Sequence, residues 1–374
     1  MKVVGLFSGI GGLELGFQAA GFTSTLIAES NPLCQAVLRA RFPDVELVGD
    51  IRDIVSLPAS DALLAGFPCQ PYSQAGRLAG LSEGGVHIAE IFRLIDSQAR
   101  PPSHIVLENV PFMLHLHSGR ALLRILRELE RRGYRWAYRI IDTVAFKLPQ
   151  RRRRWFLVAS RVIDPSGVLL STDRRRPDVQ RVDARGFYWT EGNRGIGWAD
   201  DAIPPLKSGS GIGIPAPPAI WDRERKAIWT PDIRDAERLQ GFDAGWTEVE
   251  QTHACRARRA RWTMVGNAVS VPVSTWVATR LRDADEDEVP REPFSRGTLP
   301  RAAFFDGHRR YSCPVGEYPV RRVTPKIMDF LMYERHPLSQ RATVGFRERY
   351  VKSPLRQDTE FVTALKYHER NFAV

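Results

Sequence analysis

The sequence predicts an α/β fold: a doubly wound, mostly parallel sheet with a small loop-rich insert and a C-terminal extension. Three observations predict it. Short apolar strands alternate with helical patterns over residues 2–48. The first strand runs into a glycine-rich turn, and the next two end in acidic residues. After Asp164 the composition shifts to Arg, Gly, Pro and aromatics with little helical periodicity, until a helical pattern returns at Ile233–Leu239.

In chain order, residues 2–7 form a strand ending in Phe7-Ser8-Gly9-Ile10-Gly11-Gly12, and Leu13 to Ala20 carries a helical pattern closed by Gly21. Thr23–Ala28 is a second strand ending at Glu29. A helix over Asn31–Arg41 stops before Pro43, and Val45–Val48 is a third strand closed by Gly49-Asp50. Ala62-Leu63-Leu64-Ala65 reads as a buried strand that must end in a constrained turn at Gly66-Phe67-Pro68-Cys69-Gln70-Pro71. A glycine-rich loop over Gln74–Val86 follows, long enough to act as a lid, and then a helix over Ile88–Ser97. His104–Leu107 is a strand ending in Glu108-Asn109. Leu122–Arg131 is a helix with a solvated charged face, and strands follow near Trp136–Asp142 and Trp155–Ala159.

The 374 residues leave room for one large domain and a smaller one, expected as 1–160 and 229–282 around an insert at 161–228, a linker at 283–293 and an extension at 294–374. A net charge of +11 favours a polyanionic partner, and 43% hydrophobic content excludes global disorder. The four cysteines, Cys34, Cys69, Cys255 and Cys313, have no paired spacing, so neither a disulfide framework nor a zinc site is expected. No apolar run approaches the roughly 20 residues that span a bilayer, which points to an intracellular soluble protein.

The glycine turn lets backbone approach a ligand at a helix N-terminus, but it is neither GxGxxG nor a P-loop. Glu29 can accept both hydroxyls of a ribose, and Asp50 can accept from an adenine amino group. Together these fit a nucleoside cofactor without a demanding phosphate site. Cys69, Glu108 and the Arg151–Arg154 run at further strand ends suit attack on an electron-poor heterocycle: thiolate addition, a proton at a ring nitrogen, and a guanidinium on a carbonyl oxygen. Singly, each has a plain structural explanation.

Six motifs occur in one order: Phe7-Ser8-Gly9-Ile10-Gly11-Gly12, Gly66-Phe67-Pro68-Cys69-Gln70, Glu108-Asn109-Val110, Gln150-Arg151-Arg152-Arg153-Arg154, Glu237-Arg238-Leu239-Gln240-Gly241-Phe242 and Gly266-Asn267-Ala268-Val269. The series resembles the DNA cytosine-5 methyltransferases of bacterial restriction–modification type. The resemblance implies the fold of S-adenosylmethionine-dependent methyltransferases, double-stranded DNA as partner, no metal, and a cytoplasmic monomer beside an independently acting restriction endonuclease. It implies cofactor contacts from Phe7, Ser8, Gly9, Gly11, Gly12, Glu29, Asp50, Ile51, Pro68, Asn267 and Ala268. By the same resemblance Cys69 is the nucleophile, Glu108 the acid at ring nitrogen 3, Arg152 and Arg154 the alternate catalytic arginines, and Ser73 a DNA contact. Asn193 and Arg194, on an aromatic-flanked loop of the insert, are expected to read bases.

Three positions depart from the family pattern. Ser30 stands where some members stack a tryptophan on adenine, Ala268 where many have serine, and Glu83-Gly84-Gly85 where many have Asp-Arg-Gly. The tRNA cytosine-5 methyltransferases share the motif set, but the insert and the Arg-rich composition favour DNA. A silent DNA-binding member would show a damaged nucleophile or acid motif, and both are intact. A dehydrogenase fails on glycine spacing.

Overall fold

The computed structural model describes residues 1–68, 81–175, 182–191, 193, 195–207, 217–252, 255–284, 287–294, 298–320 and 322–372, with backbone alone for 81–86, 252 and 255–258. In chain order the elements are β1 (Lys2–Leu6), α1 (Gly12–Ala19), β2 (Thr23–Ala28), α2 (Pro32–Arg41), β3 (Glu46–Val48), β4 (Ala62–Ala65), α3 (Leu81–Asp96), β5 (His104–Asn109), α4 (Arg120–Arg131), β6 (Arg135–Asp142), β7 (Arg153–Ser160) and α5 (Pro165–Leu169). They continue with β8 (Ala184–Phe187), β9 (Ala199–Asp200), β10 (Ala219–Asp222), β11 (Ala227–Thr230), α6 (Ile233–Leu239), α7 (Cys255–Asn267), α8 (Val271–Arg282), β12 (Glu292–Pro293), β13 (Ala302–Phe305), β14 (Arg310–Ser312), α9 (Ile327–Phe330), β15 (His336–Pro337), α10 (Gln340–Lys352) and α11 (Thr359–Asn371). The chain forms two compact units: Met1–Asp142 with Arg153–Arg176 and Val269–Arg321, and Thr143–Arg152 with Pro177–Ala268 and Arg322–Val374.

The first unit is built on a ten-stranded sheet of order β12-β14-β13-β6-β7-β5-β4-β1-β2-β3. The run β3-β2-β1-β4-β5 is parallel, as the opening alternation predicts. Local signals start its helices: Asn31 Oδ1 accepts from the Leu33 and Cys34 amides at 2.9 and 3.3 Å, and Pro32 occupies a first-turn position that needs no N–H donor. The chain winds outward from β1 to β3 and then crosses back to β4, so its direction switches between β1 and β4. Ligands of open α/β sheets bind at this crevice. Leu6 and Ala65 close the β1–β4 register, so the Phe7–Gly12 turn and the Gly66–Pro68 turn leave the same edge side by side.

The other half of this sheet is antiparallel, more so than the sequence pattern suggests. β6 and β7 pair directly with each other, and residues 292–312 add three further strands. Residues 302–312, expected in an extension of their own, therefore belong to this sheet. A second difference lies in the segment expected as the loop Gln74–Val86: α3 already begins at Leu81, and residues 69–80 lie outside the described residues.

The second unit holds an antiparallel sheet of order β15-β11-β10-β8-β9. Residues 322–372 belong to it. β15 pairs with β11, and α10 and α11 bury Phe346, Tyr350, Phe361 and Leu365 with Phe187 and Trp221 of the sheet. The extension's helices are α9, a single turn at Ile327–Phe330, and the longer α10 and α11. α10 was not expected. Its charged composition hides a Thr343–Phe346–Tyr350 stripe at helical spacing, capped by Ser339 Oγ at the Ala342 amide.

His368 is fully buried and ties α11 to this sheet. Its Nδ1 accepts from the Ile228 amide at 3.0 Å, and its Nε2 lies 2.9 Å from the Leu338 carbonyl, which requires the neutral ring with the proton on Nε2. Burial pushes its pKa below the usual histidine range. The unfolded chain therefore takes up a proton at higher pH than the folded one, and the contribution of His368 to stability is complete above about pH 6.5 and falls as the pH drops below it. Denaturant unfolding should show that loss between pH 7 and 5.5 as the difference between the wild type and His368→Leu. His368→Leu should abolish this component and cost about 2–4 kcal/mol at pH 7 by stranding two buried backbone groups.

Candidate active site

The turn after β1 is strained where it is needed. Phe7 takes φ +55°, a left-handed conformation unusual for a bulky residue, and Gly9 and Gly11 follow at +58° and +86°. Ser8 N–H donates to the Ala28 carbonyl (3.1 Å) and Gly11 N–H to the Ser8 carbonyl (2.8 Å). Among the described residues nothing would stand within 4 Å of a Cβ at Gly9, so this backbone is open to a ligand. Gly12 differs: a Cβ there would meet the Val269 carbonyl at 2.4 Å, so this glycine serves close packing.

Glu29, at the end of β2, secures the turn. Its Oε2 accepts from the Gly9 amide and its Oε1 from the Asn31 amide, each at 2.8 Å, which leaves lone pairs for a ligand hydroxyl. Burial raises its pKa, and the backbone donors work against that. Phe7, Glu29, Ser30, Asp50, Ile51 and His87 line a cavity of about 220 Å³. A carboxylate beside apolar walls suits a nucleoside without phosphates.

Asp50 is already engaged. It caps the turn over Ile51–Asp53 and accepts from Arg52 Nε (3.0 Å) and Nη2 (2.5 Å), and the guanidinium holds its pKa down to about 2. Arg52 is largely exposed, so this is a weak surface pair that a ligand amino group can share. The His87 ring meets Phe7 edge-on, with centroids 5.3 Å apart. The expectations missed it because α3 starts earlier than the glycine pattern suggested.

Beneath the turn lies a buried acid that the motif pattern did not reveal. Glu14, fully buried on α1, accepts from Ser8 Oγ at 2.6 Å. Gly5 makes room for it, since a Cβ there would lie 2.0 Å from Glu14 Oε1. Burial pushes the Glu14 carboxyl up to about 7, overriding the Ser8 hydroxyl. Its stabilising contribution is therefore complete below about pH 4.5 and is lost as the pH rises to 7, by up to about 3 kcal/mol. Glu14→Gln keeps an acceptor for Ser8, and its unfolding free energy should lack that decline between pH 5 and 7.

Further along the same edge, Glu108 and Arg154 meet across the β5–β7 pair, with Nε 3.1 Å from Oε1 and both side chains largely buried. Asn109 Nδ2 donates to the Phe67 carbonyl at 3.2 Å, two residues before Cys69, and so fixes where the β4 turn leaves the sheet. Pro68 is exposed on that turn. Cys69 and Ser73 lie outside the described residues. The two cysteines whose side chains are described are buried, and burial raises their thiols to about 12 (Cys34) and 11 (Cys313), which removes both as nucleophiles at neutral pH.

A sequence model of the family described as C-5 cytosine-specific DNA methylase matches residues 1–178. The chain is 42% identical over 98% of its length to Type II methyltransferase M2.BsuMI of Bacillus subtilis strain 168, of which it covers 97%. It belongs to the C-5 cytosine-specific DNA methylases. Type II methyltransferase M.DsaV of Dactylococcopsis salina is 29% identical over 75% of this chain and 86% of its own. The Dnmt2 methyltransferase of S. pombe shares the fold at 15% identity, with a TM-score of 0.55 over 76% of this chain and all of that one. Enzymes of this family use S-adenosyl-L-methionine, and the cavity at Glu29 is of the kind its nucleoside end requires.

In this methyltransferase the remaining motif residues lie in the second unit, where they brace the backbone. Gln150 Nε2 donates to the Leu239 carbonyl (2.7 Å), and Gln240 Nε2 to the Val265 carbonyl (2.7 Å). Arg152, buried, donates to the carbonyls of Leu206 (3.2 Å), Gly266 (3.0 Å) and Ala268 (2.7 Å). Its guanidinium thus holds the Gly266–Ala268 backbone. Ala268 is buried and Asn267 exposed at the end of α7. Asn193 is exposed on its loop, and Arg194 lies outside the described residues.

Proposed function

We propose that this enzyme methylates carbon 5 of a cytosine within one specific double-stranded DNA sequence and protects host DNA in the cytoplasm from a cognate restriction endonuclease. The names of the Type II relatives support that setting, and the Glu108–Arg154 pair beside the β4 turn carries the chemistry. Phe7, Glu29, Asp50 and Ile51 hold S-adenosyl-L-methionine, which supplies an electrophilic methyl group when bound.

Carbon 5 of cytosine is a poor nucleophile until carbon 6 is substituted. The Cys69 thiolate forms a bond to carbon 6, Glu108 gives a proton to ring nitrogen 3, and Arg154 donates to the ring carbonyl oxygen. Carbon 5 is then enamine-like and takes the methyl group. Loss of its proton and departure of the thiolate restore the 5,6 double bond. A base stacked in a duplex cannot meet these groups, so it is extruded. Arg152 acts on this reading as a positioning residue.

Bisulfite sequencing of DNA from a host lacking cytosine-5 methylation, expressing this protein, should show methylation confined to one sequence context and none with Cys69→Ser. Glu108→Gln and Arg154→Ala should each lower kcat by about 100-fold or more with little change in KM for the cofactor. Methylated tRNA with unmethylated DNA would contradict the substrate assignment.

A further inference from the structure

The loop that carries Asn193 is braced from outside itself. Arg349, half-buried on α10, donates from Nη2 to the Trp189 carbonyl (3.0 Å) and from Nε to the Glu191 carbonyl (3.4 Å). A planar guanidinium bridging two carbonyls two residues apart constrains the turn between them more than a single bond would. Other ties converge on the same segment. Trp189 Nε1 donates to the Pro217 carbonyl (2.9 Å), Tyr188 N–H to the Ile196 carbonyl (2.8 Å), and Tyr188 O–H to the Pro205 carbonyl (2.6 Å). Lys207 pairs with Glu191 and lies 3.5 Å from the centroid of the Tyr188 ring. α10 is itself anchored: Phe346 packs 5.0 Å from Phe187 of β8, and Tyr350 is buried. Two residues beyond the Arg349 clamp, Asn193 is exposed.

We propose that Arg349 is a positioning residue for base reading: through the Trp189–Glu191 turn it holds the loop at the geometry in which Asn193 meets a base edge in the target duplex. The proposal rests on the reading above that the enzyme methylates one DNA sequence. Asparagine reads a base by paired donor and acceptor bonds, which fail when the loop shifts by about half an ångström. Arg349 is turned onto its own chain's carbonyls, so it acts on specificity through the loop. Residues 322–372 would thereby contribute to target choice without supplying a base contact.

The test compares wild type, Arg349→Ala, Arg349→Lys, Asn193→Ala and the Arg349→Ala/Asn193→Ala double variant by bisulfite sequencing in the methylation-free host. The readout is the ratio of methylation at the wild-type consensus to methylation at its one-base variants. Arg349→Ala should lower this ratio by about tenfold, in line with the loss of one good base contact, with KM for the cofactor unchanged. Arg349→Lys, which can still reach one carbonyl, should restore part of it. The double variant should be no worse than Asn193→Ala, because both lose the same contact. If Arg349→Ala is insoluble, Arg349→Gln carries the same expectation. An unchanged ratio would overturn the proposal, as would additive losses in the double variant. A uniform loss at all sites with a shallower salt dependence would make Arg349 a phosphate contact instead. Wild-type methylation without sequence preference would remove the underlying reading as well.

Discussion

The edge that carries Glu29 and Glu108 depends on β4, four apolar residues held in register between β1 and β5. All four are buried, and among the described strands β4 alone stands between β1, which feeds the glycine turn, and β5, which carries Glu108. Because the chain switches direction between β1 and β4, the turns that follow these strands part from each other and leave a crevice. Asn109 ties the end of β5 to the Phe67 carbonyl, so the turn that carries Cys69 leaves the sheet at a fixed point beside Glu108 and Arg154. In the proposed mechanism, a thiolate adding to carbon 6 while an acid serves nitrogen 3 of the same ring needs that constraint.

The motif residues divide into two groups. Glu29, Glu108 and Arg154 present polar atoms at the edge of the first unit's sheet. Gln150, Arg152 and Gln240 are buried among backbone carbonyls in the second. Both groups look alike in the sequence, because a polar side chain at a motif position is equally visible whether it meets a substrate or a carbonyl of its own chain. Glu14 shows the converse. It lies next to the glycine motif without standing out as a site residue, yet burial beneath the glycine turn pushes its carboxyl well above the usual range.

The parallel half of the large sheet was legible because each strand there is a short apolar run punctuated by glycine or an acid. The strands β12 to β14 were not, since each is no longer than four residues and the set joins the sheet only where β13 pairs with β6, far away in sequence. α10 escaped notice because only three of its residues are buried and the charges between them mask the period. Arg52 and Arg349 were missed for a different reason. Their placement follows from tertiary packing, and nothing in their local sequence distinguishes them from solvated charges.

The claim on which the account turns is that Cys69 forms a covalent bond to carbon 6 of the target cytosine. DNA in which that cytosine carries fluorine at carbon 5 tests it directly, because the substituent cannot leave as a proton and the adduct cannot collapse. Incubated with S-adenosyl-L-methionine, the wild-type protein should form a complex that survives denaturation, with the cross-link mapped by mass spectrometry to the peptide containing Cys69, and Cys69→Ser should form none. A wild-type enzyme that methylates ordinary cytosine yet leaves no such complex, or a cross-link mapped to Cys255, would contradict the account.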